Sequence, residues 1–208
     1  MAKTTISFAI PLVIMATTLT ADAKEGVDDR PAVFVHIENH AAVVPETVAG
    51  AREQLAHIFD AAGVRVESSA DPDHDRCAHG LAVHVLLLGG ARGERFIKTE
   101  QVKRRALAQA NSDARRVYVF WDRVGPSVDH QAVAHGDALG LVIAHELGHV
   151  LLPSGGHSHE SIMQANYNVH LSYGLKFDAE ESAAMRAFIV AAQEQALTSR
   201  RSAAEPPS

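Results

Sequence analysis

His145 and His149 stand four residues apart, with Glu146 directly after the first, inside an otherwise apolar run spanning residues 139–152. On a helix, residues four apart share a face, so both imidazoles can reach one ion. The glutamate lies about a quarter-turn away, where it can act on a water beside that ion instead of binding the ion. Two neutral nitrogen donors beside a general base are the parts that zinc-assisted hydrolysis requires. Histidine is common in this chain, 13 in 208 residues, so the pattern His-Glu-Leu-Gly-His has to be weighed with its neighbours. Those neighbours read as a helix, because Leu139, Val142, Ile143, Leu147 and Val150 recur at helical spacing. Asp137 is placed to cap that helix, and Pro153 followed by Gly155 and Gly156 to stop it. The plain alternative is a core helix with two hydrogen-bonded histidines. It would bury two imidazoles and a carboxylate with no ion to satisfy them, which is costly.

A catalytic zinc takes three protein ligands and keeps a further position for water. The third ligand must therefore come from beyond the helix. His157 follows the Pro-Ser-Gly-Gly break, where the chain can double back, and is the expected donor. His159 competes with it, since Ser158 separates two histidines that point to opposite sides of an extended segment. A carboxylate from a later helix, Glu180 or Glu181, remains a more distant possibility. The expected site is thus Zn2+ on His145, His149 and His157, with Glu146 as the catalytic base.

The chain also resembles a known group. The HELGH pattern, a nearby third histidine and the following Ile162-Met163 are similar to the metzincin clan of zinc endopeptidases, closest to its matrixin-like branch. The resemblance is closer still to small exported bacterial proteins with an aromatic Val-Phe-Trp-Asp-Arg-Val strand (residues 119–124), then HELGH-Leu-Leu, His157-Ser158 and Ile162-Met163. It covers roughly residues 105–190 and implies an α/β fold of the α+β zincin type. That fold has a mixed twisted sheet, an N-terminal helix, a zinc-binding active-site helix and a C-terminal helix. It also implies that Met163 lies in a tight turn beneath the metal, and that an antiparallel edge strand receives the substrate backbone. One departure stands out. The clan places a glycine three residues and a histidine six residues after its second histidine, where this chain has Leu152 and Gly155. The link to His157 is two residues longer.

The rest of the chain bounds this reading. Lys3, a mostly apolar stretch over residues 6–19 and Ala21-Asp22-Ala23 form an export-signal pattern, so residues 1–23 are expected to be removed and the mature chain to begin at Lys24. The alternative is an uncleaved anchor. Secretion or delivery to a periplasm follows from the signal reading, with no membrane association after cleavage. The formal charge of −6 argues against nucleic acid as a partner. Cys77 is the one cysteine, so no intrachain disulfide can form, and it reads as a free loop thiol. Residues 24–198 suit one zincin-like catalytic domain, expected to be monomeric, and residues 199–208 read as a disordered tail.

Within the domain, residues 32–38 alternate as a strand, Pro45 opens a helix to about Ala62, and Gly63 ends it. Residues 64–68 form a second strand. Residues 81–88 form a third, so apolar that burial on both faces is expected. His36 and His84 on strands and His57 on the first helix read as structural, not as ligands. Thr99 is placed to cap a short helix through Arg105, and residues 107–110 are preferred as an edge strand because of the resemblance. Residues 116–122 read as the last strand, with Gly125-Pro126 opening a loop. Asp178 caps a final helix over residues 179–197, with Ala184, Phe188, Ala191 and Ala192 on its apolar stripe. Tyr167 and Tyr173 are candidates to reach over the cleft, with no catalytic role assigned.

Hydrolysis of a peptide or protein substrate is the function these features favour. The main rival is a zinc-binding protein of the same fold without proteolytic activity. An exported interaction domain without metal is a third, weaker reading.

Overall fold

In the computed structural model, the described residues are 28–69, 81–128, 134–153, 156–165 and 174–204. The expected signal peptide, Cys77, Gly155, Tyr167, Tyr173 and the last four tail residues lie outside them.

Alternation of side chains builds the sheet. β1 (Ala32–Asn39) buries Val33, Val35 and Ile37 on one face. It leads through α1 (Pro45–Ala61) to β2 (Arg65–Ser69), which pairs parallel to it. Pro45 fits the first helical turn, where its missing N–H costs nothing, and Gly63 leaves the helix at φ 72°, a conformation that favours glycine. β3 (Leu81–Leu88) pairs parallel to β1 on its other side. The expectation of burial on both its faces is corrected: Leu81, Val83, Val85 and Leu87 are buried, but Ala82 and Leu86 are only half-buried and His84 is exposed.

α2 (Gly90–Thr99) follows at once, so Thr99 ends a helix instead of opening one. The physical reason is remote in sequence. The Gly90 N–H donates to Asp122 Oδ2 at 2.6 Å, and Phe96 packs on Tyr118 with ring centroids 4.2 Å apart. β4 (Ala108–Asn111) is the edge strand that the resemblance implied, antiparallel to β5 (Arg116–Phe120). β5 is shorter than expected, because α3 (Trp121–Val128) starts directly after it and contains both Gly125 and Pro126. Val124 and Val128 lie one helical turn apart and are buried, which outweighs the single hydrogen bond that a proline removes.

The sheet order is β2-β1-β3-β5-β4, parallel except for β4, giving a mixed α/β fold. One core joins the face carrying Val33, Val35, Val83 and Val85 to α1, to α4 (His135–Leu151) and to α5 (Ala179–Ala204). α4 is buried almost all round, and two glycines let α1 cross it closely. A Cβ on Gly136 would meet Gly50 Cα at 3.0 Å, and one on Gly140 would meet Gln54 Cβ at 2.7 Å and the Ala51 carbonyl at 2.8 Å. α4 starts earlier than expected, with Ala134 at its cap position. Asp137 lies inside the first turn, where its charge still faces the helix's positive end.

α5 outruns its expected end and takes in residues 199–204 of the supposed tail. Thr198 and Ser199 return their hydroxyls to the carbonyls of Glu194 and Gln195, at 2.9 Å each, so polar residues do not stop the helix. Its buried ridge is Met185 and Ile189, with Ala184, Phe188 and Ala192 beside them and Ala191 exposed. Asp178 does cap α5: Glu181 N–H donates to Asp178 Oδ1 at 2.8 Å, and Asp178 N–H to Glu181 Oε2 at 2.9 Å. No helix among the described residues is long and apolar enough to cross a membrane.

Candidate metal centre

α4 presents His145, Glu146 and His149 from its buried second half, and the returning segment 156–165 brings His157 over them. One nitrogen from each of the three histidines lies within 4.8 Å of the others. His145 Nε2 and His149 Nε2 are 3.2 Å apart, close to the edge of about 3.4 Å that a tetrahedron with zinc–nitrogen bonds near 2.1 Å defines. The rings of His149 and His157 lie 4.8 Å apart at 85°, and those of His145 and His157 5.6 Å apart at 27°. His145 is buried, His149 half-buried and His157 exposed, so the group opens toward solvent on the His157 side. His159 is exposed and does not join it.

His145 Nδ1 lies 2.8 Å from the Ile162 carbonyl, which can only accept, so the proton sits on Nδ1 and Nε2 keeps its lone pair. Burial pulls the His145 imidazole down to about 4, against the carbonyl's pull upward, so it is neutral at pH 7 as a metal ligand must be. Three convergent imidazoles, one fixed in its donor tautomer, fit a zinc-class ion.

Glu146 is 9% exposed, and burial pushes its carboxyl up to about 7, opposed by a hydrogen bond from the Ala110 backbone. A divalent cation beside it would draw that value down again. Ala110 belongs to β4, which ties the helix to the sheet's free edge. Phe120 N–H donates to the Leu107 carbonyl at 2.9 Å, so Leu107–Phe120 is a hydrogen-bonded pair. With the register Gln109↔Tyr118 and Asn111↔Arg116, the backbone groups of Ala108 and Ala110 then point away from β5. The Ser112 hydroxyl adds a second tie, donating to the His149 carbonyl at 2.9 Å.

The turn beneath the histidines is built from residues that sequence reasoning only partly caught. Met163 is fully buried and packs on α4 at Gly148, where a Cβ would stand 2.2 Å from its sulfur. Glycine in the second-last place of HELGH therefore makes the room that Met163 fills. Ser161 was missed. It is buried, donates to Glu181 Oε1 at 2.8 Å, accepts from Met163 N–H at 2.9 Å and touches the Ser158 hydroxyl at 2.6 Å. Glu181, weighed as a metal ligand, is occupied holding this turn and the α5 cap. The spacing Asp178-x-x-Glu181 of a capping box was the signal that could have revealed it.

No family model matches the chain, and no curated protein matches it. Among solved structures, it is similar to a zinc-dependent peptidase from Methanocorpusculum labreanum (strain Z), with 12% identity and a TM-score of 0.40, over 80% of this chain and 98% of that one.

Among the described residues a second group of metal-binding type occurs. His36, Glu38 and His84 also bring one ligand atom each within 4.8 Å of one another, although both histidines had read as structural.

Proposed function

We propose that this protein is an exported zinc metallopeptidase, with His145, His149 and His157 as metal ligands and Glu146 as the general base. The observation that carries the reading is the convergence of three imidazoles beside a buried glutamate that is itself hydrogen-bonded to an edge strand. A zinc ion held there supplies Lewis acidity toward a peptide carbonyl and toward water.

The chain's own residues do the rest. Ile162 fixes the His145 tautomer through its carbonyl, so the Nε2 lone pair faces the other two imidazoles. Glu146 accepts a proton from the attacking water and passes it to the departing amine nitrogen. Its hydrogen bond from Ala110 holds the carboxylate in register with β4. A peptide lying along β4 can bond to Ala108 N–H and C=O and to Ala110 C=O by strand addition, which carries its scissile bond past Glu146. The main-chain recognition is independent of sequence, so specificity is left to side-chain pockets beside the edge.

Glu146→Gln tests the reading. The amide matches the carboxylate in size but cannot take the water's proton, so the metal should stay while turnover on a peptide library falls by roughly two to four orders of magnitude. Metal retained with turnover unchanged in rigorously purified protein would remove Glu146 from the reaction. Metal retained by a wild-type protein that cleaves no peptide in the library would favour the non-proteolytic reading.

A further inference from the structure

The sheet face turned away from α1 and α4 carries a second donor set that the peptidase reading does not use. In β1 and β3, the odd-numbered side chains form the core, so even-numbered ones emerge on the opposite face. Parallel pairing sets His36 directly beside His84, and Glu38 follows two residues along β1 on the same face. The two imidazole rings meet edge to face with centroids 5.5 Å apart. Glu38 Oε1 lies 3.8 Å from His84 Nδ1, while its other oxygen is held by His40 Nε2 at 3.0 Å. His36 Nδ1 is shielded from solvent and has no hydrogen-bond partner among the described residues, which leaves its lone pair open to a ligand.

We propose that His36, Glu38 and His84 form a second metal site, for a borderline divalent transition-metal ion of the zinc class, on the sheet face opposite the peptidase centre. Two imidazoles and one carboxylate select such ions over magnesium or calcium, which prefer all-oxygen sets. Three donors within 4.8 Å need only side-chain rotation to close on an ion with bonds near 2.1 Å, about 3.4 Å from donor to donor. His40 plays the orienting part, fixing the carboxylate by holding the oxygen that faces away from His84. Glu38 and His84 have side chains 37% and 46% exposed, so the ion enters directly from solvent and exchanges faster than one at the buried His145. The site depends on none of the residues assigned to peptide hydrolysis, and it stands or falls separately from that reading.

The test is a titration of the metal-free protein with Zn2+ and Co2+, followed by calorimetry and by the visible absorbance of cobalt. Wild type should take up two equivalents. His84→Ala and Glu38→Gln, both at partly exposed positions, should each leave one equivalent bound at unchanged affinity and weaken the second by at least about tenfold. His149→Ala should instead keep the second site, and adding His84→Ala to it should abolish that remaining uptake. Circular dichroism melts establish that each variant is folded, and Glu38→Gln serves if His84→Ala is not. Saturation of folded wild type at one equivalent, with that equivalent unaffected by His84→Ala and Glu38→Gln, overturns the proposal. So does a second equivalent that neither His84→Ala nor Glu38→Gln weakens.

Discussion

Gly148→Ala probes the packing beneath the candidate centre, and its cost can be worked from distances. The new methyl carbon would stand 2.2 Å from Met163 Sδ, whereas non-bonded heavy atoms settle near 3.5 Å or beyond. The sulfur must therefore retreat by about 1.3 Å. Its escape is narrow, because Met163 is fully buried and Phe177 Cε1 would also lie 3.1 Å from the new carbon. Overpacking of this kind costs about 1–3 kcal/mol, and a clash this deep belongs at the upper end. Alanine returns about 1 kcal/mol of helix propensity, leaving a net loss of about 2 kcal/mol. For a domain of this size that lowers Tm by about 4–8 °C. Any retreat of Met163 also drags the turn that carries Ile162 and follows His157, so metal affinity should fall by about 10–100-fold.

Two measurements separate these effects. Thermal melts in chelator read the packing loss, and competition with a coloured chelator reads the metal affinity. A double-mutant cycle then isolates the contact itself. Met163→Ala alone should cost about 2–5 kcal/mol through the cavity it leaves. In Gly148→Ala/Met163→Ala the added methyl occupies vacated space, so the two losses should fall short of additivity by about 1 kcal/mol or more. Strict additivity, or a Gly148→Ala protein as stable and as metal-avid as wild type, would refute the argument that this glycine exists to seat the methionine.

Other expectations follow from the same geometry. In a His84→Ala background, His157→Ala should lose the zinc held on His145 and His149 and His159→Ala should keep it, read by metal analysis after dialysis; the reverse would move the third ligand to His159. Ser161→Ala strands the Met163 N–H and one Glu181 oxygen, so denaturant unfolding should show a loss of about 1–3 kcal/mol, with weaker metal binding. Gly140→Ala presses on the Ala51 carbonyl and Gln54 Cβ and should destabilise by about 1–3 kcal/mol without altering metal affinity per folded molecule. The Asp28 carboxyl is lowered to about 2 by its hydrogen bonds from Arg30. Its contribution to stability is therefore present above its ordinary value of 3.8 and is lost as the pH falls toward 2. Asp28→Asn should flatten that acid limb slightly, and less so in high salt, because the pair is exposed.

What the sequence disclosed and what it concealed divide along a physical line. Features set within a few residues were legible: the alternation of β1, the Pro45 and Gly63 limits around α1, the Asp178 cap, and the shared helical face of His145 and His149. Edge strand β4 was ambiguous by periodicity, since four residues of mixed polarity fit helix or strand, and only the resemblance favoured the strand. Features set by distant partners were misread. The start of α2 is fixed by Asp122, thirty-two residues away, so no local pattern could announce it. β5 gave way to α3 because Val124 and Val128 find a core to enter, and a Gly-Pro pair conceals that gain. The open face of β3 was hidden because apolar residues on both sides look alike whether or not a helix covers them.

The candidate centre follows the same division, with a consequence for where its strength lies. The helix supplies two imidazoles cheaply, by periodicity alone, but their common direction leaves an ion held from one side. Closing that arrangement depends on the segment 156–165, which has little regular structure of its own. It is held instead by the Ser158 N–H on the Met163 carbonyl, the Ile162 N–H on the Lys176 carbonyl, and the Ser161–Glu181 bond to α5. Each of these joins the turn either to itself or to the approach and first turn of α5. The position of His157 is therefore set from the C-terminal helix as much as from α4.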